Sequence, residues 1–259
     1  MKIVYNSMNI FIKEDYEAMS KKAANMVAGQ MNLKPGSVIG LATGSTPEGM
    51  YKELVKLYES DSVDFSDVTT FNLDEYYQLS PDNDQSYIYY MNEYLFNLVN
   101  MKQENIHVPN GISTNVDEMC AEYDRLIEGH GNIDLQILGI GNNGHIGFNE
   151  PDVKFEAGTH LVKLDDETIE ANARFFDSAG DVPREAISMG IRNIMHAKKV
   201  VLIANGENKS AILKEMLFGP VTPNVPASVL QLHNDVTIIL EKEAAVHILA
   251  ELKIRGVVK

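Results

Sequence analysis

From residue 37 onward, short apolar or β-branched runs alternate with longer stretches in which apolar positions recur at helical spacing. That alternation is the pattern of a mostly parallel sheet covered by helices. Six runs are expected as strands, at 37–43, 68–73, 134–141, 160–164, 199–205 and 236–241. Helices are expected at 14–31, 47–58, 86–98, 116–128, 207–217 and 243–252. Pro47 suits the first turn of its helix, and Lys34-Pro35-Gly36 cannot readily continue the one before it. The resulting expectation is a single Rossmann-like α/β domain over residues 1–259, with a mostly parallel central sheet and helices on both faces.

The longest irregular stretches, 76–86 and 146–158, follow expected strand ends. Loops leaving the carboxyl ends of parallel strands line the crevice of an open α/β sheet. The turns after Thr43, Leu73 and Gly141 should therefore converge on one site.

Composition narrows the function classes. Hydrophobic residues make up 44% of the 259 and charged residues 23%, ordinary for a globular protein. No run approaches the roughly 18 apolar residues of a membrane span. Acidic and polar residues interrupt the opening segment before a signal-peptide core forms, so a cytoplasmic location is expected. A net charge of −15 argues against nonspecific binding to nucleic acid or anionic membrane. An anionic ligand must then be held by local cations and backbone N–H groups. The single cysteine, Cys120, cannot form an internal disulfide, and no Cys/His cluster has zinc-site spacing.

Three loops carry candidate chemistry. After the first expected strand, Thr43-Gly44-Ser45-Thr46-Pro47 passes through glycine and hydroxyls into a helix, an anion cradle without Walker or dinucleotide spacing. A sugar monophosphate suits it better than a nucleotide. After the second, Asp74 and Glu75 are adjacent. Neighbouring strand residues point to opposite faces, so at most one reaches the crevice; Asp74 is the expected base. After the third, a glycine-rich turn carries Asn143, His145 and Glu150, where a carboxylate can fix the tautomer of an imidazole that moves protons between sugar oxygens. Arg174 and Lys209 are the cations expected to complete an anion site.

Taken together, LATGSTP, FNLDEY, GIGNNGHIGFNEP, ARFF, AISMGI and LQLH closely resemble the glucosamine-6-phosphate deaminase (isomerase) family, in the family's order over about residues 37 to 240. The resemblance implies conversion of glucosamine 6-phosphate and water into fructose 6-phosphate and ammonia, with no metal or redox cofactor. It further implies Asp74 as proton acceptor for enolisation and Asn143, His145 and Glu150 as the ring-opening group. Thr43, Gly44, Ser45, Thr46, Arg174 and Lys209 would hold the phosphate. Competing readings are a 6-phosphogluconolactonase-like hydrolase and a non-catalytic sugar-phosphate sensor.

Two departures modify the expectation. Asn143 stands where some members have aspartate, so Glu150 must carry more of the support for an imidazolium. His160 and Val162 stand where hexameric members activated by N-acetylglucosamine 6-phosphate have cations, and the chain ends soon after its last expected helix. No such activation is expected, and the assembly should be a monomer or small homo-oligomer.

Overall fold

The computed structural model describes residues 1–173, 176 and 181–258. The chain begins with a hairpin, β1 (Lys2–Tyr5) and β2 (Met8–Lys13). Asn6 and Ser7 turn it with φ of 45° and 65°, the left-handed pair that a two-residue hairpin turn requires. Then come α1 (Tyr16–Leu33), β3 (Val38–Leu41), α2 (Glu48–Glu59), β4 (Thr69–Asn72), β5 (Asp74–Tyr76), α3 (Tyr87–Tyr94), β6 (Ile106–His107) and α4 (Val116–Gly129). The remainder is β7 (Leu135–Leu138), β8 (His160–Lys163), α5 (Asp166–Asn172), β9 (Glu185–Ser188), α6 (Ile191–His196), β10 (Val200–Ala204), α7 (Ser210–Phe218), β11 (Val236–Glu241) and α8 (Val246–Ile254).

The main sheet has eight strands in the order β1-β2-β11-β10-β7-β3-β4-β6. Only the β1–β2 pair is antiparallel. Its central strands β3, β4, β7 and β10 are buried at every position, which is why they are mostly apolar or β-branched runs in the sequence, with Asn72 and Gln136 as buried polar exceptions. From β3 the chain steps outward to β4 and β6; from β7 it steps the other way to β10 and β11. Right-handed crossovers therefore put α1 and α2 on one face and α4 and α7 on the other, where α8 packs against α7. The order reverses between β3 and β7, and the crevice at that switch point is where such sheets bind ligands.

The structure corrects the reading of 160–164. Instead of joining the main sheet, β8 pairs antiparallel with β9, and β9 with β5, in a separate three-stranded sheet. Its alternating half-buried and exposed positions are those of an antiparallel strand covered on one face. This small sheet is tied to the large one where the Met189 N–H donates to the Leu73 carbonyl at 2.7 Å. Three expected helices are also shorter: the segment from residue 86 leaves α geometry after Tyr94, and those from residues 207 and 243 become α-helical at Ser210 and Val246.

Candidate active site

A cavity of about 370 Å³ opens at the switch point, and the three expected strand exits all line it. A fourth joins them after β10, contributing Asn205, Gly206, Asn208 and Lys209.

The loop after β3 is shaped by tyrosines. Tyr90 Oη donates to the Gly44 carbonyl at 2.7 Å, and Tyr16 Oη approaches the carbonyls of Ser45 and Thr46 at 2.9 and 3.1 Å. In a planar trans peptide the N–H points opposite to the C=O. Holding these carbonyls therefore directs the Ser45 and Thr46 N–H groups away from the tyrosines. Gly44 sits at φ +106°, a left-handed conformation that admits glycine at little cost. Thr46 Oγ1 donates to Asn205 Oδ1 at 2.7 Å and joins the first exit to the fourth. Helix α2 begins directly behind, adding the positive end of its dipole.

Asp74 is the first residue of β5, lines the cavity and is 6% exposed. No hydrogen bond to its carboxylate is found among the described residues. Burial, and after it the negative charge of Glu75, pushes its pKa up from 3.8 to about 8. Glu75 is buried outside the cavity lining, as opposite faces of one strand require. Tyr87 and Phe148, stacked with ring centroids 6.0 Å apart, form the apolar wall beside Asp74.

His145 stands on the loop after β7. Its Nδ1 lies 3.1 Å from Glu150 Oε2, and its backbone N–H donates to Asn143 Oδ1 at 3.2 Å. Asn143 Nδ2 donates to Glu150 Oε2 at 2.7 Å and to Asp165 Oδ2 at 3.2 Å. Thr168 Oγ1 donates to Glu150 Oε1 at 2.6 Å. Burial works to raise the Glu150 pKa, but the bonds from His145, Thr168 and Asn143 outweigh it and leave the group below the ordinary glutamate value. An ionised carboxylate only accepts, so Nδ1 carries the ring proton and Nε2 is the basic nitrogen available to a ligand. Gly141 is required here, since a Cβ at that position would run into the imidazole ring.

The structure thus gathers Thr43, Gly44, Ser45, Thr46, Asp74, Asn143, His145 and Lys209 around one cavity, with Glu150 behind His145. Arg174 lies outside the described residues. Thr168, Tyr87, Asn142, Asn172, Asn205 and Asn208 also line the cavity and are absent from the sequence-based set. Asn205 and Asn208 had a readable signal, because they follow a buried strand just as the other exits do. A second cavity of about 260 Å³ lies beyond Glu150, lined in part by Lys154, His160, Val162 and Lys163. Among the described residues, no helix is long and apolar enough to cross a membrane.

The chain belongs to the family described as glucosamine-6-phosphate isomerases/6-phosphogluconolactonase, whose model matches residues 13–239. It is 57% identical over 238 residues to a glucosamine-6-phosphate deaminase of Clostridium botulinum strain Loch Maree, an alignment covering 92% of this chain and 98% of the relative. A monomeric glucosamine-6-phosphate deaminase of solved structure is 41% identical, with a TM-score of 0.90 over 92% of this chain and 99% of that one. A 6-phosphogluconolactonase from Thermotoga maritima shares the fold at 21% identity, with a TM-score of 0.71 over 91% of this chain and all of that one (100%).

Proposed function

We propose that this chain converts glucosamine 6-phosphate and water into fructose 6-phosphate and ammonia. The observation that carries the reading is a buried carboxylate with no hydrogen bond among the described residues, Asp74, sharing one sugar-sized cavity with the His145–Glu150 pair. A lactone hydrolase needs no carbon base. An aldose–ketose isomerisation does.

The phosphate docks on the Ser45 and Thr46 N–H groups, the Thr43 and Ser45 hydroxyls and Lys209, with Arg174 as the further cation. His145 Nε2 takes the proton of the anomeric hydroxyl and returns it to the ring oxygen, giving the open-chain aldehyde; Glu150 supports the transient imidazolium. Asp74 then removes the C2 proton, which the aldehyde and the amino substituent acidify. The substrate's ammonium group gives up one proton, which His145 Nε2 relays to O1, and an enolamine forms. Asp74 delivers its proton to C1, which yields a ketimine, and water adds at C2 to expel ammonia. No protein amine is needed, because the substrate carries its own nitrogen.

We further read the protein as a cytoplasmic monomer or small assembly without activation by N-acetylglucosamine 6-phosphate. The monomeric relative and the placement of His160 and Val162 support this. The deciding experiment offers the purified chain glucosamine 6-phosphate and, separately, 6-phosphogluconolactone. Stoichiometric ammonia and fructose 6-phosphate from the first are expected; acid release from the second alone would overturn the reading.

A further inference from the structure

The second acid of the Asp74-Glu75 pair is absent from the cavity lining, yet it is only 4% exposed. Burying a carboxylate is costly unless donors meet it. Three do. Glu75 Oε1 accepts from the backbone N–H groups of Tyr76 at 2.8 Å and Tyr87 at 2.9 Å, and Oε2 accepts from that of Ile88 at 3.0 Å. Tyr87 and Ile88 are the first two residues of α3, and Ser86 Oγ takes the third N–H of that turn, from Tyr89, at 3.2 Å. The opening N–H groups of the helix, which have no partner within it, are thus met by side chains, two of them by a negative charge at the positive end of the dipole. Tyr87 lines the cavity beside Asp74.

We propose that Glu75 is a positioning residue for the reaction assigned above: its carboxylate clamps the first turn of α3 onto β5, fixing Tyr87 as a wall of the cavity and placing a negative charge behind Asp74. The division of labour follows from the donors. Glu75 has three N–H groups to stabilise its ionised form, whereas Asp74 has no donor among the described residues, so charge settles on Glu75 first and Asp74 is left as the member that exchanges its proton. Burial pushes both groups up, and the three N–H bonds counter that for Glu75. The other ionisable neighbours of Asp74 are Tyr51 from α2, Tyr76 from β5, Tyr87 from α3 and Tyr123 from α4, all held protonated by burial. His145 and Lys209 share its cavity. Glu75 is therefore the anion that adds to burial in holding the proton on Asp74.

The test is Glu75→Gln, which keeps the side-chain volume and one acceptor oxygen. Carboxyl-carbon NMR of aspartate-labelled protein, with the Asp74 signal identified by its loss in Asp74→Asn, should show the Asp74 midpoint falling by about one pH unit. The acid limb of kcat/KM should move down with it, while loosening of Tyr87 raises KM. A variant that folds and turns over with an unmoved Asp74 midpoint overturns the proposal, because a merely structural glutamate would leave that midpoint alone. The NMR titration needs no turnover, so its outcome is separable from failure of the deaminase reading, which shows as absent ammonia from the parent chain. Where the variant does not fold, the parent decides: the amide signals of Tyr87 and Ile88 should titrate with Glu75, at lower pH than Asp74. Amides that follow no carboxyl group at all overturn the clamp.

Discussion

Replacing Asp74 with asparagine should abolish turnover and stabilise the fold in alkaline solution at the same time. Asp74 is buried and its pKa is pushed from 3.8 to about 8, chiefly by burial and then by the charge of Glu75. At about 1.4 kcal/mol per pH unit, ionising it in the fold is about 6 kcal/mol harder than in the unfolded chain. Between pH 4 and pH 8 the native state keeps a proton that the unfolded state has released. The contribution of Asp74 to stability is thus fully present below about pH 4 and declines until pH passes 8. Asparagine cannot ionise and lacks this decline. Urea unfolding of both proteins from pH 4 to pH 9, followed by circular dichroism, should show the variant gaining about 6 kcal/mol over the parent across that range. Groups that titrate equally in both cancel in the difference. A difference constant to within about 1 kcal/mol would refute the argument that Asp74 is a desolvated base. In the same proteins kcat should fall by about a thousandfold or more on substitution, and kcat/KM of the parent should decline about tenfold per pH unit below pH 8.

Gly141→Ala places a methyl group against the His145 ring and should lower kcat about a hundredfold with the circular dichroism spectrum unchanged; steady-state rates within threefold of the parent would contradict the fit. Thr168→Val removes the 2.6 Å bond to Glu150 Oε1, so kcat should drop about tenfold and Thr168→Ser should restore most of it. The Glu150 pKa is depressed in the fold, and the stability this confers is lost as pH falls through it. Taking away one donor moves that loss to higher pH, so acid unfolding of the valine variant should begin earlier than in the parent.

The main sheet was legible because β3, β4, β7, β10 and β11 are nearly all buried and leave runs of apolar or β-branched residues with few polar interruptions, such as Gln136. The opening hairpin was not identified, although β2 alternates buried and half-buried positions and Asn6 is a good left-handed turn residue; the polar residues in both strands dilute the apolar signal. Strand β5 is three residues long and opens with two acids, which by propensity belong to a turn. Its extended form comes from pairing with β9, a tertiary effect with no local signature. The same distinction holds at the site. Asp74, His145 and the Thr43–Thr46 loop leave buried strands and could be read from that context. Thr168 and Tyr87 sit on helices, and which helical side chain turns toward a ligand depends on packing that one sequence does not display.

The small sheet has a stereochemical consequence. Asp74 pairs with Ser188 in its register, and Ser188 Oγ in turn accepts the Phe148 N–H at 3.0 Å. The proposed base is consequently anchored to a strand whose neighbour also grips the loop bearing the imidazole. A hexose chain lying in the crevice meets this carboxylate on one flank only. Hydrogen lifted from C2 and set down at C1 in the proposed reaction must therefore travel over a single side of the planar intermediate, so a chain labelled with deuterium at C2 should yield a product with one handedness at C1.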